Sequence, residues 1–257
     1  MRKVLFLIML AMLFSTAWAQ HPNIVLHGHT DNATGKIITL SNYSDPLSMR
    51  EMQIDEAVID EEGDFTLRAY ANYPMLIVLQ IENYSQSFYV EPGRTYEMYL
   101  PEFDWDINER INVNLAPVAL PFQFLNLPAN EMNLSIARFN AVVDSFVYEN
   151  RIHFDFKLRP NKAYFDTLMQ VVERLCPDTD NDYFNRYKLY HLAQLKYEMR
   201  FATRRKMYDT LLRNQPIRYY DDNYMHFVLS FFENSVSKGN RYLNIRDVSV
   251  MVARLYL

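Results

Sequence analysis

Hydrophobic and polar positions change their rhythm three times along the chain. The first run, Val4 to Phe14, is unbroken apolar sequence behind Arg2 and Lys3, and polar Ser15 and Thr16 end it before Ala17-Trp18-Ala19. A short apolar stretch with a positive head and a small-x-small site is a secretory signal peptide, and it is shorter than the roughly 20 residues a membrane span needs. Residues 1–19 are therefore expected to be removed, leaving a mature chain from Gln20.

From Asn23 the pattern is strand-like, with short β-branched and aromatic runs between turn residues. Ile24 to His29 and Lys36 to Leu40 flank Asp31-Asn32-Ala33-Thr34-Gly35, which predicts a hairpin. Gln53 to Ile59 and Asp64 to Tyr70 flank Asp60-Glu61-Glu62-Gly63 as a second. Met75 to Ile81 is nearly continuous apolar sequence, as expected of a central strand. Ser87 to Val90 and Thr95 to Leu100 flank Glu91-Pro92-Gly93-Arg94 as a third hairpin. Strands at this spacing predict an antiparallel β-sandwich over residues 20–115, with one more strand at Ile111 to Leu115.

Four prolines, Pro101, Pro117, Pro121 and Pro128, mark a transition, and residues 116–132 read as an irregular linker. Beyond it the period becomes helical. Ile136, Phe139, Val142, Val143 and Phe146 form one stripe of a helix that starts near Asn133 or Ser135 and runs into the mid-150s. Phe165, Leu168, Val172 and Leu175 stripe a second over Ala163 to Cys176. Asn181 to Met199, Arg204 to Leu212, Asp221 to Val236 and Ile245 to Leu257 give the rest. The fold class is then α+β with the two kinds of element segregated, an antiparallel sandwich followed by an all-helical unit over 133–257.

Composition narrows the function. The chain has 257 residues, 49% hydrophobic, with a net charge of -5 and a pI near 5.7, which is a globular protein of the wrong sign for nucleic acid. Cys176 is the lone cysteine, so no internal disulfide and no Cys-based zinc site can form, and its place before Pro177 suits a buried helix end. Five glycines leave little room for a phosphate loop. No nucleophile elbow is present, and no cofactor is expected.

The remaining chemistry is sparse. His27 and His29, two apart on one strand, share a face and could share a metal, with His21 nearby, although a third and fourth ligand are not evident. Asp178, Asp180 and Asp182 open like a calcium loop, but Tyr183 and Leu189 stand where Gly and Glu are required, so these acids read as the cap and first turn of a helix. Glu102, Asp104, Asp106 and Glu109 supply carboxylates without any evident catalytic spacing. Arg200, Arg204, Arg205 and Lys206 read as a solvated helix face. Aromatics make up 15% of the chain, with Tyr 19, and Tyr183, Tyr187, Tyr190 and Tyr197, with Tyr220 and Tyr224, recur at helical spacing. Such stripes are helix packing or a surface for a protein or glycan partner.

Val58 to Leu67, the apolar strand from Met75, and Phe88-Tyr89-Val90-Glu91-Pro92-Gly93 together resemble the amino-terminal β-sandwich domain, of unknown function, in Bacteroidota-type envelope thiol–disulfide oxidoreductases. There a helical region and a thioredoxin-like domain with C-x-x-C follow. This chain has no C-x-x-C, so the resemblance transfers no catalytic residue. It also directs attention to Asp166-Thr167-Leu168 and Asp209-Thr210-Leu211, which look like O-glycosylation sites of such bacteria. The combined expectation is an exported, periplasmic or secreted, non-catalytic binding or interaction protein, acting on an envelope protein or a glycan. The alternative is the accessory front of an oxidoreductase whose catalytic domain lies after residue 257.

Overall fold

The computed structural model describes residues 21–45, 48, 50–104, 117–158 and 160–233. The signal peptide, the strand expected at Ile111 to Leu115 and the helix expected at Ile245 to Leu257 lie outside the described residues. Among the described residues nine strands come first: β1 (Ile24–Thr30), β2 (Ile37–Tyr43), β3 (Glu51–Val58), β4 (Asp64–Ala69), β5 (Met75–Ile81), β6 (Tyr84–Val90), β7 (Thr95–Leu100), β8 (Val118–Ala119) and β9 (Gln123–Phe124). Six α-helices follow among the described residues: α1 (Met132–Glu149), α2 (Arg151–Phe154), α3 (Lys162–Leu175), α4 (Asp182–Glu198), α5 (Arg204–Leu211) and α6 (Asp222–Phe232).

The strands form two mixed sheets, in the orders β4-β1-β7-β9 and β3-β2-β5-β6-β8. The expected all-antiparallel pairing is corrected at two places: β1 runs parallel to β7, and β6 parallel to β8. All three expected hairpins are corrected as well. The turns exist where the glycines stand, but β1 and β2, β3 and β4, and β6 and β7 belong to different sheets. Each turn carries the chain across to the other sheet. Adjacent strands do pair at β2 with β3 and at β5 with β6, the latter around Glu82 and Asn83. A connection between sheets needs the same left-handed backbone residue as a hairpin, and Gly35, Gly63 and Gly93 all have positive φ. Turn composition therefore marks the reversal without naming the partner.

Alternation decides what each strand buries. In β1, Ile24, Leu26, Gly28 and Thr30 are buried while His27 is exposed. Gly28 lies opposite Phe65, whose ring fills the space a Cβ would take, 2.0 Å away. Side chains from both sheets, among them Leu26, Leu67, Tyr96, Leu40, Leu79 and Phe88, share one apolar core. The expected linker contributes to it. Leu120 is buried, and Phe122 and Phe124 pack against the same core as the edge strands β8 and β9 form.

The helices begin where short polar side chains cap them. Asn161, Asn181, Thr203 and Asp221 accept from backbone N–H groups of α3, α4, α5 and α6, and buried Glu131 does so for α1. The first helix ends earlier than expected. Asn150 leaves helical backbone geometry and its amide donates to the Phe146 carbonyl (2.9 Å), so a single turn, α2, continues instead. Leu175, expected on the buried stripe of α3, is exposed at its last turn.

Gly63 and Gly35 give a paired test. Both have positive φ, but a Cβ on Gly63 would stand 2.2 Å from the Thr30 carbonyl oxygen, whereas nothing lies within 4 Å of one on Gly35. Urea unfolding should show Gly35→Ala costing about 1 kcal/mol and Gly63→Ala at least about 2 kcal/mol more. Equal costs would contradict the close approach.

Candidate functional site

Tyr89 joins the sheets to the helices. β8 covers β6 only at Tyr84 and Ser85, and among the described residues no strand pairs with the edge beyond it. There the Asn133 side-chain amide takes the strand's place: its Oδ1 accepts from Tyr89 N–H (2.8 Å) and its Nδ2 donates to the Tyr89 carbonyl (2.8 Å). The Tyr89 ring enters the core made by α1, α2, α3 and α4, 5.5 Å from Tyr183 and 6.2 Å from Tyr187. Asn181 adds a bond from the start of α4 to Glu91 (2.7 Å).

A polar cluster sits inside this junction. Tyr183 donates to Asp222 (3.4 Å), and its ring lies against that of Tyr89. Next to it Asp221, buried, is paired with Arg186 at 2.9 Å. Burial pushes the Asp222 carboxyl up to about 6, helped by the charge of Asp221 and opposed by the two tyrosines. Burial likewise holds Tyr89 and Tyr183 far above the ordinary phenol range, so both stay neutral donors. This cluster has the groups of an acid–base site. Its hydroxyls and carboxylates, however, face one another across packed elements.

That placement answers the tyrosine stripes. Tyr183, Tyr187, Tyr190 and Tyr224 are buried, and Tyr197 is half-buried against Phe227 and Phe231. Of the two readings of these stripes, core packing holds for these five and the surface reading is corrected: the hydroxyl of Tyr187 pairs with Asn140 (2.9 Å) and that of Tyr190 reaches the Leu211 carbonyl (3.5 Å), while the Tyr224 ring packs edge-on to Tyr190. Tyr220 alone of the six is exposed, at 67%, stacked 5.1 Å from Tyr73 of the β4–β5 loop.

The other candidates resolve by contact. His27 and His29 do share the outer face of β1, yet His27 bonds to Thr66 (2.9 Å) and His29 to Asp64 (2.7 Å). His29 also approaches Asp31 at 3.5 Å and stacks on Tyr99. The Asp64 bond raises the His29 imidazole, opposed by burial and helped by the charges of Asp64 and Asp31. Among the described residues no group of three or more His, Cys, Asp or Glu could hold a metal ion. Asp178 binds Lys188 (2.8 Å) and Asn181 caps α4, so this segment fastens a helix. Cys176 is buried, which raises its thiol. The basic cluster is divided: Arg204 donates to the Phe231 carbonyl (2.6 Å), while Arg205 faces solvent near Asp209. Thr167 and Thr210 are exposed but donate back to the Ala163 and Lys206 carbonyls. Asp106 and Glu109 lie outside the described residues.

A groove of about 1090 Å³ lies open over α4, walled by α3 and α5. Its floor includes Leu192, Ala193 and Met207, and its rim includes Met169 and Leu189, exposed at 41% and 47%. Sequence reading missed it because Met169 and Leu189 stand beside the buried positions Leu168 and Tyr190, off the main stripes. An apolar residue one place off a stripe was the available signal.

The chain matches no protein-family model and no curated protein. None of the described helices is long and apolar enough to cross a membrane.

Asp222 yields a pH test. Between about pH 4 and 6 the folded protein holds a proton that the unfolded chain releases, so stability falls as pH rises through that window and is level above it, by roughly 3 kcal/mol in total for this group. Asp222→Asn should remove that part of the slope in urea unfolding from pH 4 to 7. An unchanged slope would contradict the buried carboxylate.

Proposed function

We propose that this is an exported, non-catalytic interaction protein of the periplasm or the extracellular space, which holds another envelope protein in the groove over α4. The groove itself carries this reading: it pairs an apolar floor with exposed Met169 and Leu189 and a charged rim, the composition of an interface core and its border. The signal-peptide pattern of residues 1–19 supplies the address. The two sheets are read as the faces of a β-sandwich, supported by the core their inward side chains share, with the helices as a segregated second unit.

The oxidoreductase-accessory alternative stands on the resemblance at Val58 to Leu67 and Phe88 to Gly93. An open reading frame continuing past the Leu257 codon into a C-x-x-C domain would favour it. A stop codon there would remove it.

The interaction reading is tested in the native host's envelope by placing a photo-crosslinking phenylalanine analogue at Leu189 and, as control, at exposed Tyr148. A discrete protein partner joined from Leu189 and absent from the control is expected, on a chain whose mass begins at Gln20. Identical products from both positions, or a chain retaining residues 1–19 in the cytoplasm, would overturn it.

A further inference from the structure

We propose that the groove receives an amphipathic helix of the partner protein, lying antiparallel to α4, with carboxylates in its first turn and cations in its last. The proposal rests on the groove being the interaction site and specifies what fills it.

Shape comes first. α3 and α5 both run antiparallel to α4: Lys188 near the start of α4 reaches the Cys176 carbonyl at the end of α3 (2.8 Å), and Lys196 near its end lies over the Phe165 ring at the start of α3 (5.9 Å). Tyr190 likewise meets the end of α5 at Leu211. Between these walls Leu189, Leu192, Ala193 and Lys196 rise from α4 at spacings of three, one and three, a helical ridge of the kind another helix packs upon. A cylinder of about 10 Å diameter filling 1090 Å³ is about 14 Å long, or about nine helical residues. Two to three turns fit.

Charge sets the direction. Several lining charges are already neutralised, Asp166 by Lys162, Arg186 by Asp221 and Lys188 by Asp178. Glu173 and Asp182, where α3 ends and α4 begins, have no ion-pair partner among the described residues, and neither do Lys196 and Lys206 at the opposite end. Arg218 also lines the acidic end and offsets part of its charge. The groove is thus acidic to neutral at one end and basic at the other. Helices favour acids in their first turn and cations in their last, so a helix whose first turn lies by Lys196 and Lys206 is matched along its length. That orientation opposes α4.

The test uses the mature protein and two fluorescein-labelled, hydrocarbon-stapled peptides of about ten residues, since unstapled helices of that length are marginal in water. Both carry Leu and Met at i, i+3, i+4 and i+7. One has Glu in its first turn and Lys in its last, and the other has these exchanged. Fluorescence anisotropy at low salt should give about ten-fold tighter binding of the first, as expected of a few surface charge pairs, and the difference should shrink at high salt. A variant carrying Lys196→Glu and Lys206→Glu, with its fold checked by circular dichroism, should lose or reverse the preference. Leu189→Glu should weaken both peptides alike. Equal affinity of the two peptides for the unaltered protein would overturn the antiparallel assignment while leaving the groove as a binding site. Saturable binding of neither would overturn both readings.

Discussion

An open sheet edge, closed by one amide, organises the rest of this molecule. Backbone N–H and C=O groups that lose water must find partners, and β6 runs on to Val90 after β8 has ended. Asn133 supplies both bonds at Tyr89 and is anchored in turn by the buried Glu131 that caps α1 (2.8 Å). The start of the first long helix is thereby fixed to the sheet. Tyr89 then carries its ring into the helical core, where it packs on Tyr183 of α4, whose hydroxyl reaches Asp222 of α6. Because α4 is held from this side, its opposite face is free to form the floor of the groove.

Much of the local structure was legible in the sequence and much of the pairing was not. Asn161, Asn181 and Asp221 announce helix starts because capping is a contact within four residues. The turn residues ending in Gly35, Gly63 and Gly93 announce reversals for the same reason. Which strand lies alongside is a long-range matter: Gly28 against Phe65 and Leu26 against Tyr96 are settled by the packing of the core. Strands β8 and β9, two residues each, are too short for any alternation to show.

The tyrosines teach the complementary lesson. A stripe at helical spacing looks the same whether it faces a partner or its own core, because periodicity reports a shared face and not what covers it. What separates the two is the fate of the hydroxyl. Tyr183, Tyr187 and Tyr190 reach Asp222, Asn140 and the Leu211 carbonyl, all far away in sequence. Tyrosine serves here where leucine would leave such polar groups without partners. The surface chemistry is carried instead by plainer residues, Met169 and Leu189 with the charges around them.

The dependence of the helices on the Tyr89 edge is the claim most open to direct trial, through hydrogen exchange of the mature protein and its Asn133→Ala variant. Loss of the amide leaves two backbone groups of Tyr89 without their partner, at about 1–3 kcal/mol each where water cannot enter. Amides of α1, α4 and α6 should then exchange distinctly faster while those of β1, β2, β5 and β7 keep their protection. Unchanged protection of the helices, or uniform loss across sheets and helices alike, would contradict it.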